Sequence, residues 1–170
     1  MKNLISKSIN RQILITFFVL ILVSCTNPVQ KDLLNYINNE MPSVAKQETE
    51  AMKAYGSVTG TNYKNDATTL MTLRHKVIPI YGEFRKNLES ITSKIKTEDV
   101  RILHETYIEA VNIQSSAFVL LVDAIIKQDY QSLAQANEKL DKARKIIRDW
   151  QAKLNDLCKK NNVIYPTIAH

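Results

Sequence analysis

Apolar side chains recur along most of the chain at steps of three and four residues, the period of an amphipathic α-helix. Four such stretches follow one another, at about 28–56, 66–95, 97–128 and 129–162. Glycine, which permits the tight turns of a β-sheet protein, occurs only three times in 170 residues. The pattern therefore predicts an all-α chain with four long helices.

Short connections join these four stretches, and the longest is the Gly- and Thr-bearing loop at 56–65. Helices joined by short connections pack antiparallel to their neighbours in sequence. We therefore expect an antiparallel up-down-up-down four-helix bundle. Asn27, Thr97 and Asp129 are candidate N-caps, because their side chains can accept hydrogen bonds from the first helical N–H groups.

Two prolines fall inside helical patterns, where proline removes a hydrogen bond and kinks the helix. Pro42 lies 18 residues before Gly60 and Pro79 lies 19 after it, which predicts equal heights in an antiparallel hairpin. Three hypotheses remain open. Both helices bend together around the core, or the carbonyls of Asn38 and His75 are freed for a ligand, or Pro42 begins a new helix.

The first 25 residues have the features of an export signal. Lys2, Lys7 and Arg11 precede an apolar run at 13–23, which is too short to span a bilayer because a spanning helix needs about 20 apolar residues. The run ends in the sequence Leu-Val-Ser-Cys at 22–25. This segment resembles a bacterial prolipoprotein signal peptide with its lipobox.

The resemblance implies cleavage between Ser24 and Cys25 and a diacylglyceryl thioether on the thiol of Cys25. An ordinary cleaved signal peptide and an uncleaved N-terminal anchor are the alternatives. The predicted division is a signal peptide at 1–24, the lipidated Cys25 with a short tether at 25–31, a four-helix bundle domain at 32–162, and a C-terminal tail at 163–170.

Removal of the first 24 of 170 residues leaves 146, enough for one domain with its own core. It also removes three of the 23 basic residues, and the remaining 20 stand against 17 acidic residues, a net charge of +3. That charge is too small to indicate a nucleic-acid partner. Cys158 is then the one free thiol, and we expect it to act as a small buried hydrophobe rather than a reactive or intermolecular thiol.

The motifs of common catalytic sites are missing from the sequence. It contains no G-x-S-x-G, P-loop, G-x-G-x-x-G or H-E-x-x-H motif, and no Glu-x-x-His pair of a di-iron bundle. His104, Glu105 and Glu109 could make half of a metal site, but charges on a solvated helix face are the simpler explanation, and we expect no metal site. We expect no catalytic activity and no cofactor.

The end of the third helix is apolar on nearly all sides. In the segment 118–126, Val119 and Ile126 fall outside the core stripe, on either side of Asp123. Either neighbouring helices cover these residues, or Val119, Asp123 and Ile126 bind a partner. Tyr55 and Tyr63, which flank the first loop, are further candidate contacts.

The predicted topology places seven basic residues near Cys25, where anionic headgroups would attract them. They are Lys31, Lys94, Lys96, Arg101, Lys153, Lys159 and Lys160. A solvated lysine-rich rim is the alternative interpretation.

As a whole, the chain resembles small helical lipoproteins of Gram-positive bacteria. The resemblance implies a lipid anchor on Cys25 at the extracytoplasmic face of the cell membrane. The expected function is that of a protein-binding module of envelope accessory, immunity or exclusion type, with its protein partner at the membrane-distal end. The alternative is a helical bundle that binds a small ligand or a metal.

Overall fold

The computed structural model of the chain describes residues 27–164, and these residues form helices and turns without a β-strand. The expectation of an all-α chain is confirmed. The predicted signal peptide, Ser24, Cys25 and most of the predicted tail lie outside the described residues. The α-helices are α1 Pro28–Asn35, α2 Met41–Gly56, α3 Asp66–Thr72, α4 Ile78–Ile91, α5 Glu98–Lys127 and α6 Tyr130–Lys160.

These helices form four long rods. Rod 1 spans 28–56 and joins α1 to α2 through the π-helical turn Tyr36–Glu40. Rod 2 spans 66–91 and joins α3 to α4 through the π-helical turn Leu73–Val77. Rod 3 is α5 and rod 4 is α6. The short 3₁₀ turns Gly60–Asn62 and Thr92–Lys94 lie in the first two connections.

Each π turn ends directly before a proline-containing helix start. Pro42 and Pro79 are the second residues of α2 and α4. A proline ring inside an α-helix crowds the carbonyl four residues back. In rod 1 the residue before proline, Met41, donates instead to the carbonyl of Tyr36 five residues back, and rod 2 repeats this arrangement. The widened turn accommodates the proline, so each rod continues past it.

The two prolines do not lie at the same height. Lys94 forms an ion pair with Glu40 at 2.7 Å, so Pro42 lies level with the end of rod 2. Pro79, in contrast, is close in sequence to Tyr81, which meets rod 1 near Met52 through a shared hydrogen-bond partner. Ten residues of helix separate these levels, or roughly 15 Å. The expectation of equal heights is wrong, because the connection is not centred on Gly60.

Rod 3 contributes most to the core. It has twelve buried residues, against six on rod 4. By length and composition alone, rod 3 could also cross a membrane, but 44% of its most apolar window is buried against the protein, and a core helix passes the same test. The three other rods, each of which contacts rod 3, cover most of its apolar surface.

The helix starts follow the predicted caps with one exception. Asn27 accepts from the N–H of Val29, and Asp129 accepts from two N–H groups of α6. Thr97 occupies the N-cap position of α5, but its hydroxyl donates to Asp32 and makes no capping bond. The buried carboxylate of Asp32 also accepts the N–H groups of Lys96 and Thr97, at 3.0 and 2.7 Å.

Two boundaries of the predicted domains differ from the structure. Residues 28–31, assigned to the tether, belong to α1, since Asn27 caps the helix that Pro28 begins. Val163, assigned to the tail, is only 8% exposed and belongs to the core.

Rods 3 and 4 end in the same way, with a left-handed residue after the helix. Gln128 has φ 51° and Asn162 has φ 54°. After rod 3, the N–H of Asp129 donates to the carbonyl of Ala124 and that of Gln128 to Ile125, which is the Schellman pattern. After rod 4, Val163 donates to Cys158 in the equivalent bond, which turns the side chain of Val163 into the core.

Replacing Gln128 with glycine should stabilise the protein. A side chain in the left-handed region costs about 1–2 kcal/mol, and glycine removes this cost. Glycine also makes the unfolded chain more flexible, which offsets about 0.4–1 kcal/mol of the gain in stability. We expect the free energy of unfolding to rise by about 0.5–1 kcal/mol in urea titrations. Gln131→Gly, in the first turn of α6, is the matched control and should lower it by about 0.5 kcal/mol. Equal losses in both variants would contradict this account.

Candidate functional site

The candidate site lies at the end of the molecule that carries the first and third connections. We call it the distal face, comprising residues 57–66 and 119–133. The connection 57–65 meets the start of rod 2, where the hydroxyl of Thr69 donates to the carbonyl of Val58 at 3.2 Å. Asp66, at that start, borders the same cleft as Gln128 and Tyr130 of the third connection. The two connections therefore form one continuous surface.

Local hydrogen bonds order the first connection. The amide of Asn62 donates to the carbonyl of Gly56 at 2.9 Å, and the hydroxyl of Tyr63 donates to the carboxylate of Asp66 at 2.9 Å. The N-cap Asn65 accepts from the N–H of Thr68. A surface held in place before binding loses less conformational entropy when a partner docks.

A cleft of about 190 Å³ opens in the distal face, between the start of rod 2 and the turn from rod 3 to rod 4. It is lined by Asp66, Ala124, Ile125, Gln128, Asp129, Tyr130 and Leu133. Tyr130 is 83% exposed at its rim. A volume of this size matches one large side chain of a partner better than a cofactor, since cofactor pockets begin at about 300 Å³.

The three predicted partner-binding residues share one exposed stripe of rod 3. Val119 is 49% exposed and Ile126 is 50% exposed, and Asp123 between them is also exposed. The spacings of four and three residues place all three on the same side of the helix. The packing of residues 27–164 therefore leaves this stripe uncovered, and Asp123 has no ion-pair partner among these residues.

The two tyrosines predicted to flank the first loop have different environments. Tyr63 is 52% exposed and remains available on the distal face. Tyr55 packs its ring on Phe118 at a centroid distance of 5.1 Å, and burial raises the pKa of its hydroxyl while nearby Arg144 partly opposes that rise. Tyr55 is therefore mainly a packing residue.

His104 lies in the core where rods 1, 2 and 3 meet. It is fully buried, with Nε2 at 3.1 Å from the carbonyl of Leu88 and Nδ1 at 3.3 Å from the hydroxyl of Tyr36. A carbonyl can only accept, so Nε2 carries the proton and Nδ1 accepts from Tyr36. Burial lowers the pKa of this imidazole, and the bond to Leu88 partly opposes that effect.

Two further buried polar contacts join rod 3 to rods 1 and 2. The hydroxyl of Tyr107 donates to Glu48 at 2.7 Å, and that of Tyr81 donates to Gln114 at 3.0 Å. Burial raises the pKa of Glu48, and the bond from Tyr107 partly opposes it. Trp150 of rod 4 stacks on Tyr107 at 4.6 Å, and its indole N–H has no hydrogen-bond partner within the described part of the chain.

The residues of the predicted half metal site do not come together. His104 faces the core with both ring nitrogens engaged, whereas Glu105 and Glu109 lie on the exposed side of rod 3. A residue buried on one side of a helix cannot share a metal with residues that point into solvent on another side. Across residues 27–164, no group of three His, Cys, Asp or Glu residues is placed to hold a metal ion.

The possible ligand site at the two prolines is bounded by one rod only. An open groove of about 440 Å³ runs along rod 2 beside the π turn. Its lining residues are Ala67, Thr68, Met71, Thr72, His75 and Lys76, all from rod 2. A groove with one rod as its only wall cannot surround a small ligand. The corresponding π turn of rod 1 does not contribute to it.

Cys158 is 2% exposed in the core near the end of rod 4, and burial raises the pKa of its thiol. A protonated, inaccessible thiol is a poor nucleophile. The structure therefore supports the interpretation of Cys158 as a small core residue.

The roles of two acidic residues, Asp32 and Glu48, were not predicted from the sequence. Asp32 precedes Leu33 at the start of a helix, where a solvated carboxylate is ordinary, and its three donors come from residues more than 60 positions away. The helical period of the sequence places Glu48 at an exposed position. Only the contact with Tyr107 in the structure distinguishes it from a solvated glutamate. Gln114, by contrast, falls in the apolar stripe of rod 3, which was a usable signal.

Comparison with known proteins gives one family. A family model described as EMYY-motif containing lipoprotein matches residues 6–163. The chain has Glu40–Met41 followed by Pro42–Ser43 and no consecutive Glu-Met-Tyr-Tyr. No curated protein and no solved structure matches the chain.

His104 should make the protein less stable in mild acid. Its folded-state pKa lies below the unfolded value of 6.5, so the unfolded chain takes up a proton first and stability falls as the pH drops through 6.5 towards the folded pKa. Glu48 opposes this trend, since its raised pKa favours the native state as pH falls towards 4.5.

The His104→Gln variant isolates the contribution of the histidine. We expect it to be less stable than the wild type at neutral pH but to lose less further stability between pH 7 and pH 5, in urea unfolding followed by Trp150 fluorescence. His75→Gln, at an exposed position of rod 2, is the matched control and should keep the wild-type profile. Parallel pH profiles for the wild type and His104→Gln would contradict the assignment.

Proposed function

The chain belongs to the family of EMYY-motif containing lipoproteins, and on this basis we propose that it is a protein-binding module held at the extracytoplasmic face of the cell membrane. The proposed role is binding rather than catalysis, of envelope accessory, immunity or exclusion type. The anchor is the lipid on Cys25, after cleavage between Ser24 and Cys25. The family supports the membrane anchor, whereas the partner and the face of the membrane are inferred.

We infer that the four rods form an antiparallel up-down-up-down bundle. Between neighbouring rods, residue numbers rise on one side as they fall on the other. The contacts are Gln47 with Asn87 and Glu40 with Lys94, Leu88 with His104 and Tyr81 with Gln114, and Thr106 with Lys153 and Tyr107 with Trp150. In this arrangement Asn27 and the distal face lie at opposite ends, so a protein anchored near Asn27 presents the distal face outward.

The observation that carries the proposal is the uncovered stripe of Val119, Asp123 and Ile126 on the most buried rod. Two half-exposed aliphatic side chains around a carboxylate with no ion-pair partner among residues 27–164 fit a partner that supplies an apolar side chain and a basic group. The cleft and exposed Tyr130 at the same end of the molecule offer a second contact, including the rigid aromatic side chain that is common at interface hot spots.

The alternative of a ligand- or metal-binding bundle gains no support from the site geometry. His104 is occupied by core hydrogen bonds, and the groove beside Pro79 has one wall.

Replacing Cys25 with alanine should abolish lipid attachment, because only the thiol of that residue can form the thioether. We expect the variant to show no incorporation of a labelled fatty acid and to accumulate as a precursor or leave the membrane. Cys158→Ala is the matched control, since that thiol is buried, and it should be labelled like the wild type. Labelling of the Cys25→Ala protein would overturn the proposed site.

Placing lysines at Val119 and Ile126 should prevent partner binding without unfolding the protein, because both side chains are already half exposed. A photo-crosslinking residue at Thr61 in cells should give a discrete protein adduct in the wild type. We expect the Val119→Lys/Ile126→Lys variant to lose about tenfold or more of that adduct, as a hot-spot loss of about 1.4 kcal/mol would produce.

The matched control is Leu34→Lys/Ile102→Lys, which changes two exposed aliphatic residues, 39% and 51% exposed, outside the distal face. It should retain the adduct. A second probe at Lys159, away from the distal face, should not give this adduct. Equal adducts from both probes, or equal losses in both lysine variants, would contradict a partner site on the distal face.

A further inference from the structure

The first and last described turns of the chain are joined at one end of the molecule. The side-chain amide of Asn27 donates to the side-chain oxygen of Asn161 at 2.7 Å, and the amide of Gln30 reaches the carbonyl of Asn162 at 3.4 Å. The place where the chain enters rod 1 is therefore fixed beside the end of rod 4. We call the surface around this junction the proximal face, comprising residues 27–32, 92–98 and 159–164.

Covalent geometry places the proposed lipid anchor next to the proximal face. Only Thr26 lies between Asn27 and Cys25. At about 3.5 Å per residue, the lipidated residue lies within about 7 Å of Asn27. A bilayer that holds the lipid on Cys25 must therefore approach the proximal face, so that side chains on this face meet the headgroups.

Four exposed lysines surround this attachment point without an ion-pair partner among residues 27–164. Lys31 and Lys96 line one cleft of about 400 Å³, which places rod 1 and the second connection side by side. Lys159 and Lys160 directly precede Asn161, the residue that binds Asn27. Two other basic residues predicted for this region, Lys94 and Arg101, are paired with Glu40 and Glu98.

The acidic groups of this region are less available than the four lysines. The carboxylate of Asp32 is 4% exposed and is held by the N–H groups and hydroxyl at 96–97. Asp99 and Asp156 are exposed and reduce the positive potential in part. Glu40 and Glu98 are already neutralised by their basic partners. An excess of positive charge remains around Asn27.

An apolar side chain projects from the same face. Val163 is packed into the core by the turn that ends rod 4, and the next residue, Ile164, is 97% exposed. The sequence continues as Tyr-Pro-Thr-Ile at 165–168, which includes the aromatic and aliphatic types that favour the membrane interface. Among residues 27–164, no protein surface covers the side chain of Ile164.

We propose that the proximal face binds the anionic headgroups of the membrane that carries the anchor, with Lys31, Lys96, Lys159 and Lys160 as electrostatic contacts and Ile164 inserted at the interface. A lipid anchor combined with a basic patch that contacts the headgroups gives a more stable membrane attachment than the lipid alone. This inference rests on the proposed lipid anchor at Cys25. This contact orients the protein on the membrane, with the distal face held away from the bilayer.

The experiment measures which end of the lipidated, full-length protein approaches the headgroups. Ser93 and Ser57 are exposed serines near the proximal and distal faces, and each donates to a carbonyl three residues back. A fluorophore on Ser93→Cys or Ser57→Cys would be read in vesicles of neutral phosphatidylcholine, with or without phosphatidylglycerol, that contain a headgroup-linked quencher. The buried thiol of Cys158 should not be labelled.

We expect severalfold stronger quenching at Ser93→Cys than at Ser57→Cys in anionic vesicles. The difference should shrink in neutral vesicles and at high salt, where the Debye length falls to about 3 Å. Replacing the four lysines with glutamine should remove most of the anionic effect. The matched control changes four exposed lysines elsewhere to glutamine and should retain it; these are Lys46, Lys53, Lys76 and Lys86.

The apolar contact is tested in the same vesicles. Ile164→Asn should reduce quenching at Ser93→Cys, whereas Ile126→Asn, a half-exposed isoleucine of the distal face, should not. Equal quenching at the two serine positions, or quenching that is indifferent to lipid charge and to the four lysines, would overturn the proposal. Flotation of the wild type with vesicles separates the two failures. Its absence would overturn the anchor itself, whereas flotation with equal quenching would overturn only the orientation.

Discussion

The structure depends on the need to pair the polar groups of rod 3, the helix with the most buried residues. A buried polar group without a partner costs about 1–3 kcal/mol. His104 and Gln114 avoid this cost only if Tyr36 and Tyr81 meet them at particular heights. These hydrogen bonds require their atoms at specific distances and angles, so sliding rod 3 by one turn would break them. They set the register of rod 3 against rods 1 and 2.

The distal and proximal faces of the molecule have different chemistry because the same rods end differently. At the distal face, hydrogen bonds of Asn62 and Tyr63 order the first connection, and rod 3 leaves the stripe of Val119, Asp123 and Ile126 uncovered. At the proximal face, Asn27 is bonded to Asn161, and Asp32 holds the second connection. The register of the core keeps these two surfaces at a fixed separation.

The sequence was sufficient for features that follow from local periodicity and local capping. It predicted the helical stretches, the N-cap bonds of Asn27 and Asp129, and the burial of Cys158, because each depends on residues within a few positions. It was insufficient for contacts that join distant parts of the chain. Asp32 meets Thr97 across 65 positions, and nothing in the local sequence distinguishes it from a solvated carboxylate.

The candidate site was predictable in part. The apolar excess at 118–126 correctly identified Val119 and Ile126 as residues outside the core stripe, and the structure leaves both half exposed. The fate of Tyr55 was not predictable, because it depends on the distance to the ring of Phe118 on another rod. The equal heights expected for Pro42 and Pro79 were wrong because sequence distance from Gly60 does not locate the middle of the connection.

The π turns have a consequence for how the length of this chain can change during evolution. A turn closed by a bond to the fifth residue back contains one residue more than an α-helical turn. Loss of one residue within 36–40 would leave the flanking helices facing the same neighbours, whereas loss elsewhere in rod 1 would rotate one flank by about 100°. The same argument applies to 73–77. Each rod thus has one place that can absorb the gain or loss of a single residue, and the proline that follows favours the widened turn.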